Sequence, residues 1–209
     1  MEYLDNLGQK AVAAKYVLQK LTTEEKNRAL RAAAAALTDG AERILEANRQ
    51  DYGIAEANGM SAGLLDRLKL TAQRIHSMAE GLLQIAELED PVGTVMESFK
   101  RPNGLQIDKV RVPMGVIGII YEARPNVTAD AFGLCFKAGN AVILKGGRDA
   151  ACSNAAITQV IREALAAQDI PADAVQLIED NDRAVTTAFM KLKQYVDVLI
   201  PRGGAGLIR

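Results

Sequence analysis

Histidine and cysteine are nearly absent from this chain, with one His and two Cys in 209 residues, and tryptophan is missing altogether. Cys135 and Cys152 give neither a disulfide framework nor a metal-ligand spacing, and His76 stands alone. Zinc chemistry and a Ser-His or Cys-His pair therefore have almost no residues to work with. Excess charge of one sign is also lacking. Twenty-five Lys and Arg stand against 26 Asp and Glu, for a net charge of −1, and no basic cluster appears, so nucleic acid is not an expected partner. No apolar run reaches transmembrane length, and the first ten residues lack the basic and apolar regions of a signal peptide. A cytoplasmic protein with no membrane partner is expected.

What is present suits a sizeable core, with 49% hydrophobic residues against 24% charged. The first ninety residues read as helices. Thr22-Thr-Glu-Glu25 has the form of a capping box before an Ala-rich run to Leu37, and Asp39-Gly40 and Asn58-Gly59 punctuate the segments that follow. Over residues 71–88 Ile75, Met78, Ala79, Leu82, Ile85 and Ala86 recur at helical spacing, so that face must be packed. His76, beside that stripe, reads as an ordinary helix histidine. Asp90-Pro91 then stops the helices, and Arg101-Pro-Asn-Gly104 suits a tight turn between strands over 94–100 and 105–112. This hairpin, residues 92–112, reads as an arm for homo-oligomerisation or, alternatively, as a hairpin packed on its own domain.

From residue 113 the pattern is α/β. Apolar β-branched runs at 116–120 and 141–144 flank a helix over 127–138, with Asn126 or Thr128 to cap its start and Gly139 to end it. The alternation continues with a helix marked by Ile157, Val160, Ile161, Ala164 and Leu165, and a strand over 174–178. A further helical stripe and a strand over 196–200 lead to the closing cluster Pro201-Arg-Gly-Gly-Ala-Gly206. Four strands alternating with three helices make a doubly wound, Rossmann-like parallel sheet the economical fold. Its ligand edge would carry Tyr121–Asn126, Lys145-Gly-Gly-Arg148 and the last glycine cluster. Two glycines, two cations and a nearby helix start make Lys145–Arg148 a candidate anion or nucleotide loop, or else a plain turn. No G-x-G-x-x-G follows the first strand, so phosphate binding must be organised differently from the standard dinucleotide fold. The division reads as 1–91 helical, 92–112 hairpin and 113–209 cofactor-binding.

Carrying the motifs Arg101-Pro-Asn-Gly104, Tyr121-Glu-Ala-Arg-Pro-Asn126, Lys137-Ala-Gly-Asn-Ala-Val-Ile-Leu-Lys-Gly-Gly147 and Ile200-Pro-Arg-Gly-Gly204, the chain resembles the gamma-glutamyl phosphate reductase branch of the aldehyde dehydrogenase superfamily. That resemblance implies NADPH-dependent reduction of L-glutamyl 5-phosphate to L-glutamate 5-semialdehyde with release of phosphate, a step of proline biosynthesis. By resemblance the cofactor edge comprises Tyr121, Glu122, Lys145, Gly146, Gly147, Arg148, Gly203 and Gly204, with Lys145 at the adenosine ribose. Many NAD-using relatives carry glutamate where this chain has Arg148. A guanidinium there either binds the 2′-phosphate of NADPH or extends into solvent. Arg124 or Asn126 would contact the acyl phosphate or the cofactor, with Asn126 as a helix cap the competing role.

The nucleophilic cysteine of this branch belongs to a catalytic domain expected after Arg209, so no turnover is expected from these residues alone. Cys135 reads as a buried small hydrophobe; Cys152, near a helix start and Arg148, would have a lowered pKa but falls on the cofactor edge. A stand-alone nucleotide-binding or assembly module is the alternative.

Overall fold

The computed structural model describes residues 2–122 and 124–203, so Gly204 and the rest of the closing glycine cluster fall outside the described residues. Helices α1 (Glu2–Leu18), α2 (Thr23–Asp39), α3 (Ala41–Ala57), α4 (Ala62–Leu68) and α5 (Ala72–Glu87) come first. The capping box forms as expected. Glu25 N–H donates to the Thr22 hydroxyl at 3.2 Å, and Thr22 N–H donates back to the Glu25 carboxylate at 2.7 Å. On α5 the stripe Ile75, Met78, Ala79, Leu82 and Ala86 is buried.

Strands β1 (Val95–Lys100) and β2 (Gln106–Val110) pair antiparallel as a sheet of their own. The turn closes with Arg101 N–H donating to Leu105 O at 2.8 Å and Gly104 N–H to Arg101 O at 2.9 Å. Gly104 takes φ +87°, a conformation that favours glycine. Every β1 residue is exposed, and of β2 only Ile107 is partly covered, so among the described residues the two strands stand clear of the core.

The second sheet has the order β5-β4-β3-β6, all parallel. Its strands are β3 (Val116–Tyr121), β4 (Ala141–Lys145), β5 (Val175–Leu177) and β6 (Val198–Arg202), joined by α6 (Asn126–Lys137), α7 (Ala151–Ala166) and α8 (Arg183–Met190). This is the doubly wound α/β arrangement. All residues of β3 and β4 are buried, which is what their uninterrupted apolar sequences require of strands covered on both faces. The helices of the first ninety residues share this core, with Leu30, Leu37, Ile44 and Leu82 in one cluster with Phe132, Ile143 and Ile161.

Two local expectations fail. Neither Asn126 nor Thr128 caps α6. Pro125, at φ −57° and ψ −32°, carries helical geometry back by one residue. Both side chains thus lie inside the first turn, where they cannot reach back to its free amides. The last strand begins two residues later than its apolar run. Asp197 N–H donates to Val116 O at 2.9 Å, while the Asp197 carboxylate accepts from Val116 N–H at 2.8 Å and from Lys15 Nζ at 3.0 Å. This closure needs Gly115, at φ +125°, because a Cβ there would sit 2.1 Å from Asp197 Oδ2.

Candidate functional site at the carboxyl edge of the sheet

Parallel register brings the strand ends together: Ile120 lies opposite Lys145, Tyr121 opposite Arg202, and Leu144 opposite Leu177. The chain leaves β3 towards β4 and β5 and returns on the other side as β6, so the switch point where open α/β sheets bind ligands falls beside β3. Two clefts open here. One of about 590 Å³ lies between α4, the loop after β3 and the end of β6; the other, about 240 Å³, lies between the start of α7 and the loop after β5. Gly147 lines both.

Lys145 is buried beside the smaller cleft. Its ammonium donates to Gly146 O at 3.0 Å and to Asn181 Oδ1 at 3.1 Å. Burial lowers its pKa; Asp180 opposes this and Arg148 adds to it. Two of the three ammonium protons are thus placed, leaving one donor. The cleft walls around it include Ala151, Ala155, Leu177 and Ile178, an apolar slot with a polar end. Arg148 is exposed in the turn between the two clefts and, among the described residues, forms no side-chain hydrogen bond or ion pair.

The start of α7 departs from the anion-binding reading of the Lys145–Arg148 loop. Asp51 of α3 already fills it, accepting from Cys152 N–H at 3.1 Å, Ser153 N–H at 2.7 Å and the Ser153 hydroxyl at 2.6 Å. A second anion there would meet a carboxylate instead of free amides. The expected low pKa of Cys152 is corrected as well. Burial, then the charge of Asp51, push the thiol up. Cys135, buried on α6, is pushed up to about 12 by burial.

Gly146 and Tyr121 line the clefts and are also tied into the packing beneath them. Thr128 Oγ1 donates to Asn154 Oδ1 at 3.0 Å, which leaves the Tyr121 hydroxyl as donor in its 2.7 Å bond to Thr128. Burial drives the Tyr121 pKa up, and its hydroxyl is committed beneath the cleft. Asn154 occupies the space a side chain at Gly146 would need, for a Cβ there would lie 2.1 Å from Asn154 Nδ2. Glu122, Arg124 and Gly203 line the larger cleft, while Asn126 faces a neighbouring cleft of about 500 Å³ and donates to Asp130 at 3.1 Å. Burial raises the Asp130 pKa, against the pull of Asn126 and Arg202.

Sequence reasoning missed Arg67, Arg202, Asn181 and Asp51. Arg202 stood inside a quoted motif, overshadowed by its glycines; Asp51 and Arg67 lie on helices whose local sequence carries no sign of a distant partner. Among the described residues no group of three or more His, Cys, Asp or Glu is disposed to hold a metal, and no helix is long and apolar enough to cross a membrane.

The pattern of the aldehyde dehydrogenase family matches residues 2–200. The chain belongs to the aldehyde dehydrogenase family. Within that family it is 55% identical, over its whole length, to a gamma-glutamyl phosphate reductase of Lachnospira eligens. The crystal structure of gamma-glutamyl phosphate reductase from Thermotoga maritima superposes on 98% of the chain with a TM-score of 0.96 at 45% identity. That from Saccharomyces cerevisiae covers 97% with a TM-score of 0.89 at 31% identity. This family member spans about half the length of the relatives it matches: 50% of the Lachnospira and Thermotoga chains and 52% of the yeast one.

Proposed function

We propose that these residues are the cofactor-binding part of an NADPH-dependent reductase that converts L-glutamyl 5-phosphate to L-glutamate 5-semialdehyde and phosphate. The observation that carries this is the buried Lys145, bonded to Asn181 at the polar end of an apolar slot on the carboxyl edge of the sheet. A purine fits the apolar walls, and the remaining Lys145 proton suits a ribose hydroxyl. Arg148, free beside the slot, suits the 2′-phosphate and favours NADPH over NADH. NADPH would supply the hydride, and the chain's own residues bind and orient it. The names of the half-matched relatives support the substrate.

Neither Cys135 nor Cys152 has the environment of a nucleophile, so the thiol chemistry is assigned to residues outside these 209. The exposed hairpin, with Val95, Met96, Leu105 and Val110 open to solvent, is assigned to homo-oligomer contact, since apolar side chains on an unpaired ribbon invite a partner. The same hairpin is what favours the second reading, an assembly module without catalysis.

The test is parallel thermal titration with NADPH and NADH. NADPH should raise the melting midpoint more than NADH, and Arg148→Glu should remove most of that preference. A cooperative melt unmoved by either nucleotide would sink the cofactor reading.

A further inference from the structure

Three arginines from distant parts of the chain line the larger cleft: Arg67 on α4, Arg124 in the loop after β3, and Arg202 at the end of β6. All three are exposed, and among the described residues none has a side-chain hydrogen bond or ion pair. The contrast with nearby Arg74 is direct. Its guanidinium is tied to Asp66 and to Lys69 O, so that cation is used to fasten the link between α4 and α5. The three in the cleft fasten nothing.

Their positions are nonetheless fixed from behind. Asn48 donates to Leu68 O at 2.9 Å and accepts from Leu70 N–H at 2.7 Å, holding the end of α4 and with it Arg67. Arg124 N–H donates to Glu122 O at 2.7 Å, and Arg202 is set by its register with Tyr121. The backbone thus brings three guanidiniums to one cleft with their donors unused among the described residues, available to an anion that accepts from several at once. Glu122 and Asp149 share the walls, so bulk charge attracts an anion only weakly. Selectivity must come from the planar fork of each guanidinium, which matches phosphate oxygens in pairs.

We propose that Arg67, Arg124 and Arg202 hold the phosphate of an acyl phosphate substrate. This rests on the reductase reading above and assigns its leaving group. When a thiolate from outside these residues attacks the acyl carbon, a sulfur–carbon bond forms and the carbon–oxygen bond to phosphorus breaks. The electron pair of that bond leaves with the phosphate, and the charge that builds on its oxygens is the charge the three guanidiniums stabilise. The neighbouring cleft of about 500 Å³ also has Arg67 and Arg124 on its walls, with Asp130 deeper in, which gives the remainder of the substrate somewhere to lie.

The test uses inorganic phosphate as probe, with the full chain, followed by ³¹P line broadening and by thermal shift, with and without saturating NADPH. Phosphate should bind in both conditions. Arg67→Gln, Arg124→Gln and Arg202→Gln should each weaken it roughly tenfold or more, as expected for loss of a charged hydrogen bond. Arg124→Lys, which keeps the charge and loses the fork, should recover only part. The NADPH-induced shift should persist in all four variants, which also shows that they fold. If NADPH displaces phosphate and the Gln variants lose NADPH, the guanidiniums serve the cofactor's pyrophosphate and the inference is overturned. If NADPH binds normally but phosphate never does, the inference falls while the cofactor reading stands. Phosphate binding lost in the Gln variants, from a chain that ignores both nucleotides, would support the anion site and sink the cofactor reading instead.

Discussion

The carboxylate of Asp51 accepts from both the amide and the hydroxyl of Ser153, at 2.7 and 2.6 Å, so one helix supplies the cap of another 102 residues later in the chain. The positive end of α7 is thereby spent within the protein. Asp51→Ala would leave the buried amide and hydroxyl of Ser153 and the part-buried amide of Cys152 short of a partner and should cost about 2–4 kcal/mol. Asp51→Asn, still an acceptor, should cost less. Urea denaturation of the three proteins measures this, and an Ala variant within about 0.5 kcal/mol of the parent would mean that water caps α7 equally well.

The same carboxylate governs Cys152. Burial first, and the Asp51 charge second, raise the thiol above its ordinary value of 9.0. Alkylation by iodoacetamide at pH 8 should therefore be slower than for a free cysteine, with the midpoint of the rate profile above pH 9. Asp51→Asn should speed it. Fast labelling of Cys152 at neutral pH would contradict the assignment of the nucleophile to other residues.

Gly146→Ala tests whether that glycine is scaffold or ligand contact. A methyl group would push Asn154 aside and break its bond with Thr128, at a cost of about 1–3 kcal/mol for overpacking a filled site. NADPH binding should weaken with it, because Gly146 lines the slot. A variant as stable as the parent with weaker nucleotide binding would make Gly146 a ligand contact only.

Lys26 and Asp90 form a buried ion pair at 2.5 Å between α2 and the segment that ends α5. Burial alone would raise the Asp90 pKa; the bonds from Lys26, Val92 N–H and Thr23 outweigh it, and the folded value lies below 3.8. A depressed carboxylate contributes stability that is fully present above its unfolded pKa and lost as pH falls through the folded one. The contribution should thus be complete above about pH 4 and decline below it. Lys26→Met leaves the carboxylate buried without its partner and should destabilise the protein at pH 7 by about 3–5 kcal/mol. It should also flatten the acid limb of the stability curve; an unchanged limb would show that Asp90 is not its source.

Much of this architecture was legible locally. The capping box at Thr22, the Asn103-Gly104 turn and the β-branched runs of β3 and β4 are short-range patterns, and the structure returns them within a residue or two. Lys145 was singled out through motif resemblance, and the structure buries it beside the smaller cleft. The shared edge of the loops after β3, β4 and β6 followed from the parallel sheet, but particular side-chain partnerships across the sequence stayed hidden: Asp51 at α7, Asn154 under Gly146, Arg67 meeting Arg202 at one cleft. A side chain whose partner lies a hundred residues away leaves no periodicity behind. The α6 cap failed for a nearer reason, since Pro125 shifted the helix start past the residues that looked able to cap it.

Lys15 and Asp197 are joined across 182 residues. Gln194 reaches Asp5, Glu179 N–H reaches the Tyr3 hydroxyl, and Gln176 reaches Leu7 O, so the first helix is held by the last quarter of the chain. The buried face of α1, Leu4, Ala11, Ala14 and Leu18, packs on β3, β4, β5 and the turn before β5, all far later in the sequence, so it stays uncovered until those strands have been made. A ribosome that pauses before residue 177 leaves a greasy helix with nowhere to go, and chaperone engagement should concentrate on that interval.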